Sequence, residues 1–201
     1  NSDIGVIQDS FNSGYIEGSF YTGGIVGQNF GLVENIYNAG GILSQSFTGG
    51  IAGYSAGSVQ SGYNTIEPDA FINYNGMIIG HNEGDAQRLY FNSNIANQAY
   101  NLGALGQEDE GINNAIDDEQ NNVRGLNYFE MVNSAFGMDL DNGHWEMSLS
   151  SKDTGYTPYL SFFDEQTKYL SPLNLFGGEQ EESGWGGEGE PYLLNSAFSF
   201  V

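Results

Sequence analysis

A glycine-rich motif recurs in this chain at a fixed spacing of 26 residues. It reads GGIVGQNFG at residues 23–31 and GGIAGYSAG at residues 49–57, and a looser copy, NGMIIGHNEG, begins at Asn75. Gly24, Gly50 and Gly76 therefore stand 26 residues apart. A constant period of this length is typical of repeat proteins, in which each repeat is one structural unit stacked on the next.

Four columns of similar residues follow the same period, with one residue inserted in the third repeat. They are Gly5, Gly31, Gly57 and Gly84; Ile7, Val33, Val59 and Ala86; Phe11, Tyr37, Tyr63 and Tyr90; and Asn12, Asn38 and Asn64, where the match lapses at Phe91. We expect the small apolar column to fill an interior, the aromatic column to stack on itself, and the asparagines to form a hydrogen-bonded ladder.

The composition of each repeat favours strands over helices. The chain has 30 glycines, several in every repeat, and each would cost about 1 kcal/mol inside a helix. The apolar runs between them, such as Ile42-Leu43, are too short for helices. Asn75 replaces Gly23 and Gly49 and is expected to form a left-handed corner. The sequence thus predicts an all-β fold, a parallel β-helix of about 26-residue coils spaced by ~4.8 Å.

The charge of the chain restricts its partners. Four basic residues stand against 26 acidic ones, which gives a net charge of −22. Such a chain cannot neutralise phosphates, so we expect neither nucleic acid nor anionic lipid as a partner. It has no cysteine and therefore no disulfide or thiolate metal site. No apolar run approaches ~18 residues, so we expect no membrane span.

The repeats resemble the GLUG-motif repeat of bacterial surface proteins. The shared pattern is a Gly-Gly-apolar-apolar-Gly start, a central Gly and an Asn-Ser-Tyr-like end, which residues 23–38 and 49–64 follow and residues 75–90 follow less closely. The resemblance implies a right-handed β-helix within a large secreted protein, such as a filamentous-haemagglutinin-like adhesin. It also implies a location outside the cell or on the bacterial surface.

Beyond residue 92 the period is lost. Residues 93–123 are polar and acidic, which predicts a surface excursion. Asn127 and Glu130 then have capping-box spacing, which predicts one short helix with Phe129, Met131, Val132 and Phe136 on its apolar face. The segment resembles the sequence that closes GLUG arrays, with the matching residues Gly125, Leu126, Met131, Phe136, Gly137, Asp139, Trp145, Pro158, Tyr159 and Leu160. We expect it to cap the open end of the solenoid.

Three regions follow from these patterns. Residues 1–92 are predicted to form the solenoid, and residues 93–163 the acidic excursion with the small irregular C-terminal cap. Residues 164–201 comprise an acidic Gly/Glu linker and a terminal strand, PYLLNSAFSFV. The motif columns begin in mid-repeat at Gly5, which predicts an incomplete first coil. We therefore expect its N-terminal face to contact adjoining coils of a larger chain or neighbouring subunits.

No motif in the chain indicates catalysis. His81 and His144 share no motif, and neither HExxH nor G-x-S-x-G occurs. A β-helix polysaccharide lyase would need a basic residue as base and charge neutraliser. The chain has only Arg88, Arg124, Lys152 and Lys168. We therefore assign no catalytic, cofactor or metal residue and predict that the protein is not an enzyme.

Residues 139–143, Asp-Leu-Asp-Asn-Gly, begin like a calcium loop but lack the Glu at position twelve. Asp139 and Asp141 are expected to cap turns, and Glu108, Asp109, Asp117 and Asp118 to form a solvated face. No cofactor is predicted, with a structural Ca²⁺ as the open alternative.

The sequence thus predicts a non-enzymatic segment of a secreted adhesin that attaches to a glycan or a protein through flat faces bearing Tyr and Asn. Two alternatives stay open. One is a structural subunit of an extracellular filament or stalk assembled by solenoid stacking, and the other is a β-helix polysaccharide lyase or hydrolase.

Overall fold

The predicted β-solenoid is confirmed by a computed structural model of the chain. The structure describes residues 5–70, 74–96, 104–106, 117–132, 139–140, 143–146 and 157–161. Strands from successive coils pair in parallel, and little helix is present. Among these residues, no helix has the length and apolar character needed to cross a membrane. Residues 164–201, with the predicted linker and terminal strand, lie outside the described residues.

Each of the first three coils contributes four strands. The first has β1 (Val6–Asn12), β2 (Ile16–Glu17), β3 (Phe20–Gly23) and β4 (Val26–Asn29). The second has β5 (Leu32–Asn38), β6 (Ile42–Ser44), β7 (Ser46–Gly49) and β8 (Ala52–Ser55). The third has β9 (Ser58–Asn64), β10 (Asp69–Ala70), β11 (Asn75–Gly76) and β12 (Ile79–Asn82).

Equivalent strands stack into four parallel sheets. Sheet A has the order β1-β5-β9, continued by β13 (Asp85–Asn92) and β14 (Val123–Leu126). Sheet B contains β2, β6 and β10, sheet C contains β3, β7 and β11, and sheet D contains β4, β8 and β12.

The predicted register of sheet A is confirmed. Val33 lies opposite both Ile7 and Val59, and Val59 lies opposite Ala86. The valines are fully buried in the core between the sheets.

The asparagine column forms the expected ladder. The side-chain amide of Asn12 donates to Oδ1 of Asn38, and the amide of Asn38 donates to Oδ1 of Asn64, both at 2.9 Å. Asn38 and Asn64 are fully buried, so each hydrogen bond satisfies polar groups that water cannot reach. The ladder stops at Phe91, which lies opposite Asn64.

The position assigned to Asn75 was wrong by one residue. Asn75 pairs with Thr48, and Gly76 is the residue opposite Gly49. The inserted residue therefore lies before Asn75, between Ala70 and Asn75, because Ala70 is still 26 positions after its partner Ser44. A Cβ at Gly76 would collide with the carbonyl oxygen of Ile79. This position requires glycine for a close approach of backbones and cannot accept asparagine.

A left-handed residue interrupts every long strand of sheet A. Asp9, Asn35, Ser61 and Arg88 have φ between 48° and 54°, a region that side chains other than Gly, Asn and Asp rarely adopt. Each is an extra residue in its strand, and it reverses the side of the sheet to which the following side chains point. As a result, Ile36 joins the interior core while its neighbour Tyr37 joins a separate apolar cluster on the outer side of sheet A.

The aromatic column therefore stacks outside the solenoid and not within it. We call Phe11, Tyr37, Tyr63 and Tyr90 the tyrosine ladder. Phe11 and Tyr37 stack at 5.0 Å between ring centroids, and Tyr37 and Tyr63 at 5.1 Å. Tyr90 continues the register opposite Tyr63. Residues from the C-terminal segment cover the ladder, namely Leu126, Met131, Leu140, Trp145 and Leu160.

The two antiparallel strands described in the predicted cap lie along the side of the solenoid and not at its end. Trp145 lies in β15 (Trp145–Glu146), which pairs antiparallel with β16 (Tyr159–Leu160). Its ring lies 6.2 Å from Tyr37 and 5.6 Å from Tyr63. These tyrosines belong to the second and third coils, so this part of the segment runs along the side of the solenoid. The ladder offers apolar area there that must be buried.

The end of the stack is covered by the region predicted to be a surface excursion. Leu105 forms a parallel bridge with Ile79, and the amide of Ile78 donates to the carbonyl of Ala104. Val123 in β14 then lies opposite Leu89. Leu105 follows its partner Ile79 by 26 residues, whereas Val123 follows its partner Leu89 by 34 residues. Eight residues are therefore inserted between them, which hid the continuing solenoid from the sequence pattern.

The predicted helix is confirmed as α1 (Tyr128–Met131), and the capping box of Asn127 and Glu130 is present. Met131 is fully buried, but Phe129 is 73% exposed. The prediction that Phe129 belongs to the apolar face was therefore wrong, because the one-turn helix packs Tyr128 and Met131 against the cluster that contains the ladder. Phe136 lies outside the described residues.

Candidate functional site

A group of exposed and half-buried aromatic side chains lies on the outer side of sheets C and D. Tyr21, Phe47 and Tyr74 occupy equivalent places in three coils. Ring centroids are 4.7 Å apart for Tyr21 and Phe47 and 4.2 Å apart for Phe47 and Tyr74. All three residues have positive φ, between 50° and 69°. Bulky side chains rarely adopt this conformation, so the surrounding structure must hold them in it.

A second column lies beside the first. Tyr54 in β8 and His81 in β12 are opposite each other in sheet D, and their rings stack at 5.7 Å. Phe30 packs on Tyr54 at 5.8 Å, and Tyr21 meets it edge-on at 6.1 Å. We call these six residues, Tyr21, Phe30, Phe47, Tyr54, Tyr74 and His81, the aromatic patch. It remains accessible because none of its members is buried.

One carboxylate is bonded to the aromatic patch. The hydroxyl of Tyr54 donates to Oε2 of Glu83 at 2.7 Å, and Nε2 of His81 lies 3.2 Å from Oε1. The hydrogen bond from Tyr54 and then that from His81 lower the pKa of Glu83. The side chain is therefore charged at neutral pH, and both of its oxygens have fixed directions.

A shallow, open groove of about 520 Å³ begins at this carboxylate. Its floor is the glycine column, defined as Gly5, Gly31, Gly57 and Gly84. One wall is formed by Phe30, Ala56 and Glu83, and the other by Val6, Leu32, Ser58 and Asp85. Each wall takes equivalent residues from successive coils, so the groove runs along the stacking direction. It is apolar at the Val6 end and acidic at the Asp85 end.

The backbone of the groove floor already holds the coils together. The amides of Leu32, Ser58 and Asp85 donate to the carbonyls of Gly5, Gly31 and Gly57, at 2.8–3.1 Å. The amides of Gly57 and Gly84 donate to the carbonyls of Asn29 and Ser55. A Cβ at Gly57 or Gly84 would collide with the coil before it. The floor therefore has no side chains, and its polar groups are engaged within the solenoid.

The two arginines and the one histidine with described contacts outside the aromatic patch each lie beside a different residue. Nε of Arg88 donates to Oγ of Ser61 at 3.0 Å, and Arg124 lies 6.0 Å from the centre of the Tyr90 ring. Neither arginine lines the groove. Nδ1 of His144 lies 2.8 Å from Oδ1 of Asp9, which links the C-terminal segment to the first coil. Lys152 and Lys168 lie outside the described residues.

The acidic residues predicted to be a solvated face have structural contacts where they are described. Oδ1 of Asp117 accepts a hydrogen bond from the amide of Ala104, and Asp118 caps a single 3-10 turn at Glu119–Asn121. Glu108, Asp109 and Asp141 lie outside the described residues. Asp139 is exposed. Within the part of the chain that the structure describes, no three acidic or histidine side chains converge on a metal-sized site.

The sequence reasoning did not single out Phe30, Tyr54 or Glu83. A signal for the aromatic patch was present, because Tyr21 and Phe47 are separated by the period of 26 residues. Glu83 could not be found in this way, since Ala56 is its equivalent one coil earlier. The glycine column was found, but nothing in the sequence showed that it forms the floor of a groove.

The comparisons with known proteins give no relative. No family model matches the chain, and neither a curated protein nor a solved structure is detectably similar to it. The resemblance to GLUG-motif proteins therefore rests on the residues quoted above and stays a prediction.

Proposed function

We propose that this chain is a non-enzymatic, glycan-binding segment of a secreted bacterial surface adhesin. The observation that carries the proposal is the aromatic patch with the hydrogen-bonded carboxylate of Glu83 beside it. Binding sites for small polar ligands commonly combine aromatic surface with a few oriented polar groups. Sugars carry apolar C–H faces between hydroxyl groups and therefore suit both parts of this surface.

The backbone of the aromatic patch sets the direction of its rings. Tyr21, Phe47 and Tyr74 have a left-handed conformation, which recurs once per coil there as it does at Asp9, Asn35, Ser61 and Arg88 in sheet A. The repeat places the three rings one above the other, and Tyr21 remains 38% exposed.

The state of Glu83 favours binding over hydrolysis. A glycosidase needs a carboxylic acid with a raised pKa to protonate the leaving oxygen. The hydrogen bonds from Tyr54 and His81 lower the pKa of Glu83 instead. A charged carboxylate of this kind accepts hydrogen bonds from sugar hydroxyls, and charge-assisted bonds are the stronger ones. The basic residue that a lyase would need is also absent from the groove lining.

A secreted, surface location agrees with the remaining features. The chain has no cysteine and a net charge of −22, and its repeats resemble those of bacterial surface proteins. High negative charge keeps an exposed β-protein soluble and discourages edge-to-edge association.

A glycan array probed with the full chain tests the proposed function. We expect binding to at least one class of glycan and a loss of about tenfold or more in affinity for Tyr54→Ala, which removes the centre of the aromatic patch. Gln87→Ala, an exposed change on β13, should bind like the original chain. An array with no binding would exclude this function, and binding equal in all three proteins would exclude the aromatic patch as its site.

A filament or stalk subunit is the second candidate. The first coil holds most of the large hydrophobic side chains that the described residues expose, including Val6 at 56%, Tyr15 at 66% and Phe20 at 61%. Exposed apolar groups of this kind favour association. Sedimentation over a range of concentrations tests this candidate, because a stacking subunit should form oligomers that Phe20→Asp weakens. A monomer at every concentration would remove it.

A further inference from the structure

The groove above the glycine column has a distinct shape for a ligand. It crosses the strands at right angles to their direction and continues through four successive coils. Three coil steps at ~4.8 Å each give a floor about 14 Å long. Gly57 and Gly84 of the floor pack directly on the coil before them, and the side chains of the flanking residues form the two walls. A single unbranched chain lying along the solenoid axis fits this shape.

An extended peptide is a poor occupant of the groove. Peptides bind to β-proteins mainly by adding a strand to an open sheet edge, where unpaired backbone groups accept them. Here the floor amides and carbonyls already bond between coils, from Leu32 to Gly5, Ser58 to Gly31 and Asp85 to Gly57. The backbone of a peptide would lose water without gaining partners, and each unsatisfied group costs about 1–3 kcal/mol.

The walls instead offer groups that suit hydroxyls and ring faces. Phe30 and Val6 are exposed by 47% and 56% at the apolar end. Ser58, Glu83 and Asp85 supply oxygen atoms towards the other end. Glu83 and Asp85 are both exposed and would repel a chain of uronate or sulfate groups, as would the net charge of −22.

From these observations we infer that the groove is the binding site for a neutral, linear polysaccharide. Its chain lies along the glycine column, with the wall that contains Phe30 on one side and the wall that contains Asp85 on the other. This assignment rests on the proposed glycan-binding function and adds to it the site, the direction of the ligand and its charge. The aromatic patch then lies beside the groove. The two are connected by Phe30, which belongs to both, and by the hydrogen bond between Tyr54 and Glu83.

Calorimetric titration of the full chain tests the assignment. The probes are oligosaccharides of increasing length from cellulose, chitin and mannan, which are neutral, with oligogalacturonates of matched length as the anionic probe and an oligolysine peptide as the cationic one. We expect one neutral series to bind, with affinity rising with length until the groove is filled. Oligogalacturonates should bind at least about tenfold more weakly. Oligolysine is attracted by the net charge of −22, so its binding should be lost at high salt, whereas binding of the neutral series should not depend on salt.

Two variants locate the ligand. Ala56→Trp places a ring across the groove at an exposed position and should weaken neutral binding by about tenfold or more, whereas Gln87→Trp on β13, outside the groove, should not. The double change Glu83→Gln and Asp85→Asn removes the two charges that repel anionic chains. It should therefore reduce the ratio of the affinity for neutral chains to the affinity for anionic chains. Circular dichroism verifies that each variant is folded.

The outcomes separate the site from the function. Neutral binding that Tyr54→Ala abolishes and Ala56→Trp leaves intact would overturn the groove assignment while keeping the glycan-binding function. Oligogalacturonate bound as tightly as the neutral series, or oligolysine binding that persists at high salt and is lost in Ala56→Trp, would overturn the assigned ligand. No binding to any glycan would overturn both proposals.

Discussion

The rings of Tyr37 and Tyr63 lie nearly parallel, 5.1 Å apart and inclined by 7°, yet their hydroxyl groups differ. The hydroxyl of Tyr63 donates to the carbonyl oxygen of Pro158 at 2.5 Å and lies 3.2 Å from Oγ1 of Thr157. The hydroxyl of Tyr37 is buried without a partner among the described residues. Two equivalent residues of one column thus have different polar environments, because the described residues of the C-terminal segment reach only the hydroxyl of Tyr63.

This difference predicts opposite effects of the same substitution. Tyr63→Phe loses hydrogen bonds and should lower the free energy of unfolding by about 1–2 kcal/mol. Tyr37→Phe removes an unsatisfied buried hydroxyl and should leave the stability unchanged or raise it slightly. Urea unfolding followed by circular dichroism measures both. Equal losses in the two variants would contradict the arrangement of the C-terminal segment.

The tyrosine ladder should make the fold sensitive to high pH. Burial raises the pKa of Tyr90 to about 12 and also raises the pKa of Tyr37. In the unfolded chain a tyrosine ionises near pH 10. The folded state therefore holds more protons between these values, and stability that is fully present below about pH 10 is lost as the pH rises through about 12.

Unfolding free energies measured from pH 8 to pH 12 test this expectation. Tyr90→Phe should reduce the loss of stability above about pH 10, because the group that binds the extra proton is removed. A decline of equal steepness in the variant would show that Tyr90 does not contribute to the alkaline transition.

The lateral cover of the tyrosine ladder depends on Trp145. Its ring is largely buried and contacts Tyr37 and Tyr63. Trp145→Ala should cost about 3–5 kcal/mol of local stability and increase amide exchange at Tyr159 and Leu160. Phe129→Ala, at a side chain that is 73% exposed, is the control and should change stability by less than about 0.5 kcal/mol. Unchanged exchange in Trp145→Ala would mean that the segment is held elsewhere.

The interior core should not tolerate a charge. Val59 is fully buried between Val33 and Ala86 of the neighbouring coils. Val59→Asp places an unpaired carboxylate there, at a cost of several kcal/mol, and should abolish the β-sheet circular dichroism of the repeat region. Gln87→Asp adds the same charge at an exposed site one coil away and should fold normally. A Val59→Asp protein with an unchanged spectrum would argue against the interior position of this column.

The coil length and the columns of sheet A could be predicted because each column repeats one chemical type. Valine beside valine and asparagine beside asparagine are recognisable without knowledge of the backbone. The side of the sheet to which a column points was not predictable in the same way. The left-handed residues Asp9, Asn35, Ser61 and Arg88 share a conformation but no chemical character, so no pattern of residue types marks the place where the alternation changes.

Insertions hid the remaining features. One extra residue before Asn75 moved Gly76 into the place assigned to Asn75, and eight more before Val123 concealed the continuation of sheet A. The groove was missed for a different reason. A glycine column predicts close packing of coils, but whether the column is covered or open depends on the size of the side chains on either side of it. Those walls contain unlike residues, such as Phe30, Ala56 and Glu83.

Cysteine cross-linking can verify that the coils stack in this register, because the chain has no cysteine of its own. Glu34 and Gln60 are register partners joined by a 2.9 Å hydrogen bond, and the ~4.8 Å spacing of coils suits a disulfide between their Cα positions. The Glu34→Cys and Gln60→Cys double variant should therefore form an intramolecular disulfide on mild oxidation. The pair Glu34→Cys and Gln87→Cys, two coils apart, should not. A cross-link in the second pair, or none in the first, would contradict the solenoid register.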